Sequence, residues 1–137
     1  MRKAQLLSVP FPFDGHSRSL PNAPIGLRIT LMSIPLNDLL GELKSRLAGL
    51  YGARFKGLFL YGSYARGDQQ SGSDVDVLIV VDRVDHYSAE IECTSKVVSE
   101  LSLKCGLSIS RVFLTESDWK NRDTPFLANV RQEAIAA

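Results

Sequence analysis

Residues 57–82 read GLFLYGSYARGDQQSGSDVDVLIVVD, and the fold follows from how this stretch is divided. Leu58 to Tyr61 is an all-apolar run bounded by glycines, and Val75 to Val81 is a longer run rich in β-branched residues. Both predict strands buried on two faces, joined by a polar connection rich in Gly and Ser. Asp74 and Asp76 open the second run two residues apart. The period of a strand sets their side chains on one face, about 6.6 Å apart along the backbone. Two like charges at the head of a buried strand repel each other and lose hydration, a cost that a bound cation offsets better than an apolar neighbour. Hard oxygen ligands of this kind suit Mg²⁺ or Mn²⁺, which takes one or two protein carboxylates and fills its other positions with water and phosphate oxygens.

Gly62 and Ser63 stand at the end of the first strand. A glycine there allows a ligand close to the backbone, and Ser63 adds a hydroxyl beside backbone N–H groups. If Ser63 opens a short helix through Tyr64, Ala65 and Arg66, its first N–H groups and dipole face the same anion, and Arg66 adds fixed positive charge. The stretch has neither the lysine of GxxxxGK[ST] nor the spacing of GxGxxG, so it is a phosphate cradle of another kind. Asp68 is read as a turn residue or a partner for Arg66.

Gly62-Ser63-Tyr64-Ala65-Arg66-Gly67 followed by Ser73-Asp74-Val75-Asp76 resembles the GSxARG…SDxD signature of the minimal nucleotidyltransferases in the DNA polymerase beta superfamily. The resemblance spans residues 36–136 and weakens after the second strand. It implies an α/β (α+β) fold, a small mixed β-sheet flanked by helices. It also implies that Gly62 and Ser63 hold a nucleoside triphosphate, ATP or another NTP, and that Asp74 and Asp76 hold catalytic Mg²⁺. Arg66 then either binds the nucleotide or serves the structure of the loop. The family adds a third acid on the strand beside the paired aspartates. Here that strand, Ile109 to Leu114, offers Ser108, Ser110 and Arg111, and none of Glu90, Glu92 or Glu116 is assigned to the role. Two readings therefore stand. One is a Mg-dependent enzyme moving a nucleoside monophosphate, AMP from ATP, to a hydroxyl of a protein or small molecule. The other is a catalytically weakened domain that binds nucleotide or a protein partner. The partner implied by the resemblance is a small helical HEPN-type protein, as in toxin–antitoxin pairs.

The chain of 137 residues, 45% hydrophobic and 23% charged, reads as one domain with one core. A net charge of +1 argues against broad attachment to long nucleic acid and favours a small nucleotide. With so little length for an acceptor-binding domain, a partner is expected to bring the acceptor; a homo-oligomer is left open. Cys93 and Cys105 fall in one expected helix, about 18 Å apart, beyond the ~7 Å reach of a disulfide. No apolar run approaches the ~20 residues of a membrane span, and Pro10 and Pro12 interrupt the apolar start, so the expected location is cytoplasmic. Four of the six prolines fall in residues 1–24, which read as an extended arm, and Ile25 to Met32 reads as an extra strand. Residues 1–32 are thus set apart from a domain over 33–137.

Leu36, Leu39, Leu40, Leu43, Leu47 and Leu50 recur at helical spacing behind Pro35. Gly52 ends that helix. A second helix is expected over 87–105 with Tyr87, Ile91, Val98, Leu101 and Cys105 on its buried face. Ile109 to Leu114 follows as a strand parallel to Val75–Val81. Asp123 and Thr124 are capping candidates for a last helix with Pro125 in its first turn and Phe126, Leu127 and Val130 on its buried face. Trp119 is read as a packing anchor, His16 and His86 as surface residues, the two cysteines as core or boundary thiols, and Arg83, Lys96, Lys104 and Arg111 as solvated.

Overall fold

A computed structural model describes residues 34–137, so the arm over 1–24 and the strand expected over Ile25 to Met32 lie outside the described residues. The leucine stripe forms helix α1, Leu36–Tyr51, entered through an extended Pro35 whose carbonyl accepts from the Leu39 N–H. Leu39, Leu40, Leu43 and Leu47 are fully buried. Leu50, expected on the same face, is exposed instead, and Tyr51 takes the buried place one residue on, where its hydroxyl donates to Glu90 Oε1 at 2.6 Å. Gly52, at φ +61°, stops the helix and opens a single 3₁₀ turn, Gly52–Arg54.

That turn feeds strand β1, Phe55–Tyr61. Strand β2, Val75–Val81, runs antiparallel to β1 with Tyr61 opposite Asp76. Helix α3, Tyr87–Cys105, then carries the chain to strand β3, Ile109–Thr115, which pairs parallel to β2 as expected, with Ser110 opposite Asp76. A two-residue strand, β4, Ile135–Ala136, adds to the other side of β1 and gives the sheet order β3-β2-β1-β4. Between β1 and β2 lies a one-turn helix, α2, Ser63–Arg66; after β3 come α4, Glu116–Asn121, and α5, Pro125–Glu133. The mixed four-stranded sheet with flanking helices is the fold class read from the sequence.

Helices α1 and α3 cover one face of the sheet, packing on Leu58, Leu60, Val75, Val77, Ile79 and Val81. The other face is smaller: Leu78 and Val80 meet Val130, with Phe59 against Trp119 at 4.8 Å between ring centres. Among the described strands, β2 alone is buried on both faces. β1 was expected to be so, but its Gly57, Phe59 and Tyr61 are half-covered.

Two further expectations are corrected. The buried face of α3 runs through Glu90, Thr94, Val97, Val98, Leu101 and Cys105, leaving Tyr87 exposed and Ile91 half-buried. Polar residues are tolerated there because each is bonded: Glu90 accepts from Tyr51 and from Arg54 Nη2 at 3.5 Å, and Thr94 Oγ1 accepts from Arg111 Nε at 2.8 Å. Arg111 is accordingly no solvated residue, since it also donates to the Ile91 carbonyl at 2.8 Å. Cys105 is buried while Cys93 is exposed, and both are free thiols.

Candidate active site

The turn after β1 is shaped by Gly62. Its φ of +79° with ψ of −158° is a conformation open in practice only to glycine, and an added Cβ would sit 2.2 Å from Asp76 Oδ2. The backbone thus lies directly against the carboxylate of Asp76, the residue opposite Tyr61 in the ladder. The Gly62 carbonyl accepts from both Ala65 and Arg66 N–H at 3.0 Å, which closes α2 as the single turn expected from Ser63. Gly67, at φ +85°, ends it. At such a helix start the first N–H groups have no carbonyl a turn back to bond.

Asp76 is half-buried. Loss of hydration raises the pKa of its carboxyl above the ordinary value; the neighbouring Asp74 and, less strongly, Glu133 raise it further, while Arg66 pulls it down. Burial is also the main cause that pushes the Tyr61 hydroxyl up to about 12, with Asp76 adding to it. Asp74 precedes β2 and is exposed. The two aspartates are close enough to feel each other, but only Asp76 lines the cleft. Ser73 serves the loop, accepting from the Gln70 N–H at 2.9 Å.

The cleft has a volume of about 750 Å³. One wall is Tyr61, Gly62, Ser63, Arg66 and Asp76; the other is α5, through Phe126, Asn129, Gln132 and Glu133. Phe126, expected in the core, stands exposed at the cleft with its edge toward Tyr61 at 5.8 Å and 86°. Arg66 borders the site but is tied, to Asp68 at 3.2 Å and to Glu133 at 3.1 Å. The pairing with Asp68 is the one read from the sequence.

Glu133 was not singled out by that reading. Its Oε2 accepts from the Gly62 N–H at 2.7 Å while its Oε1 accepts from Arg66, so a residue 71 positions away holds the Gly62 turn. The available signal was its place on α5, seven residues after Phe126 and three after Val130, where an acid ends an apolar face. No group of three acids, histidines or cysteines among the described residues is arranged to hold a metal unaided. The acids present are Asp76 and Glu133 in the cleft, with the exposed Asp74 close enough to Asp76 to disfavour its charge. The two aspartates fit a hard divalent cation whose remaining ligands are water and substrate oxygens. Ser110, opposite Asp76, takes the position where a third acid was sought.

A family model described as a nucleotidyltransferase domain matches residues 38–126. Two proteins of Methanocaldococcus jannaschii, both named as candidate protein adenylyltransferases, are similar in sequence. One is 34% identical over 99 residues, covering 72% of this chain and 89% of its own length. The other is 35% identical over 75 residues, covering 55% and 75%. A crystal structure of a toxin–antitoxin with AMP-PNP superposes with a TM-score of 0.49 at 19% identity, over 68% of this chain and 70% of that one.

Proposed function

The chain belongs to the nucleotidyltransferase domain family, and from that premise we propose that it transfers AMP from ATP, with Mg²⁺, to a hydroxyl group of a partner protein. The observation that carries this reading is the contact of the Gly62 turn with Asp76, which brings a phosphate cradle and a carboxylate to one cleft. The choice of a protein acceptor is supported by the names of the M. jannaschii relatives. The partner proposed is the small helical HEPN-type protein implied by the sequence resemblance. Cytoplasmic residence is proposed with it, in keeping with two free thiols.

In this reading Gly62 and Ser63 receive the triphosphate, and Arg66 lends positive charge at the rim of the cleft. Asp74 and Asp76 hold Mg²⁺, which when bound neutralises charge on the phosphate oxygens. The acceptor oxygen bonds to the α-phosphorus as the bond to the β-phosphate oxygen breaks, releasing pyrophosphate and the hydroxyl proton. The protein's share is to orient the reactants and to keep the reacting phosphorus beside fixed charges.

A second reading, a weakened domain that binds nucleotide or partner without transfer, is favoured by one observation: Ser110 lies where a third acid would stand. One experiment separates them. Labelled ATP, Mg²⁺ and the product of a neighbouring gene are incubated with the protein. The proposal expects label on that product, and expects the Asp74→Asn, Asp76→Asn double variant to lose it by at least about 100-fold. Wild-type protein that binds ATP with Mg²⁺ and labels nothing supports the second reading; labelling that survives the double change removes the aspartates from the mechanism.

A further inference from the structure

Glu133 touches the cradle at two points. Its two carboxylate oxygens accept separately from the Gly62 N–H, at 2.7 Å, and from Arg66, at 3.1 Å. Both donors belong to the turn proposed to receive the triphosphate, and Glu133 approaches it from α5, a different part of the chain. Its side chain is 20% exposed, and the bond from the Gly62 N–H is part-buried while the one from Arg66 is exposed; bonds to a charged carboxylate are short and directional. The amide it holds belongs to the residue in the glycine-only conformation, and the guanidinium it holds is otherwise ion-paired with the exposed Asp68.

We infer that Glu133 is a positioning residue for nucleotide binding: it pins the Gly62 amide and the Arg66 guanidinium together so that the cradle is formed before the triphosphate arrives. The inference rests on the reading of this cleft as a nucleotide site. A pre-formed cradle binds more tightly because less of the turn has to be ordered on binding. Glutamine is the discriminating replacement. It keeps the size and one acceptor oxygen but presents an NH₂ group where a second acceptor is needed, so it meets a donor with a donor.

The test is calorimetric titration of the wild type, Glu133→Gln, Arg66→Ala and the double variant with ATP in excess Mg²⁺, with the thermal midpoint of each and the Gly62 amide signal in a nitrogen-15 spectrum. Glu133→Gln is expected to weaken ATP binding about 10-fold, in the range that supporting partners of ligand-holding groups give. Its midpoint is expected to stay near the wild type's and the Gly62 amide signal to move. The double variant should lose less affinity than the sum of the two single losses, because the two residues act as one unit. Unchanged binding by Glu133→Gln, with ATP still bound by the wild type, overturns the inference and leaves the nucleotide reading standing. Tighter binding also overturns it and makes Glu133 a competitor of the phosphate. A lowered midpoint with unchanged affinity in the folded fraction reduces Glu133 to a structural tie. A wild type that binds no ATP overturns both.

Discussion

Asp76 shows how position sets the chemistry of a side chain. It is half-buried, beside Asp74 and against the backbone of Gly62, and its carboxyl titrates above the ordinary carboxylate value chiefly because burial disfavours the charge. The sign for stability follows. A folded pKa above the unfolded one means the folded state holds the proton more tightly, so this contribution is present in full below the unfolded value and is lost as pH rises through the folded one. Asp76→Asn removes the loss. The variant is therefore expected to be more stable than wild type at neutral pH without Mg²⁺, with the advantage vanishing in acid, as read from denaturant midpoints across pH, while nucleotide transfer fails. Gly62, Ser63 and Asp76 were legible in the sequence because glycine placement and strand alternation are local signals. Glu133 was not, since its place at the end of an apolar helix face marks it as a candidate without tying it to a turn so far before it.

Helix α5 forms half of the cleft, although it has only nine residues and rests on two buried side chains, Leu127 and Val130. A helix this short depends on its ends. Thr124 caps it by accepting from the Leu127 N–H at 3.1 Å, and Arg131 ties it back to the Trp119 carbonyl at 2.8 Å. Thr124→Ala is expected to cost about 1 kcal/mol of stability, read by urea unfolding, and to raise amide exchange across Pro125–Glu133. Of the two capping candidates in the sequence, Thr124 performs the role. Helix α3 shows where hydropathy misleads: periodic apolar residues placed Tyr87 and Ile91 inward, whereas Glu90 and Thr94 are the buried ones. Their partners, Tyr51, Arg54 and Arg111, come from other elements, so the satisfaction that lets them be buried is invisible in a helical wheel.

Among the described residues, the sheet has one face under a large core and one under a smaller cluster, and the cleft lies at the edge of the smaller side. Stability from the main core is thereby separated from the groups that line the cleft. If Mg²⁺ and ATP bind the folded state alone, saturation at 100 times the dissociation constant is expected to stabilise it by about 2.7 kcal/mol. Differential scanning calorimetry reads this as a raised midpoint, and the Asp74→Asn, Asp76→Asn variant is expected to lose the rise while retaining the unliganded fold. The parallel β2–β3 pair was within reach of sequence reasoning because a strand, a long helix and a strand in succession allow few arrangements. The addition of β4 beside β1 was not, for two residues carry no periodicity. The long span between Gly62 and Glu133, 71 positions, also has a temporal side. At roughly 5–20 residues per second of synthesis, the amide is made several seconds before its carboxylate, so each translating ribosome carries the turn for that interval without the bond that later secures it.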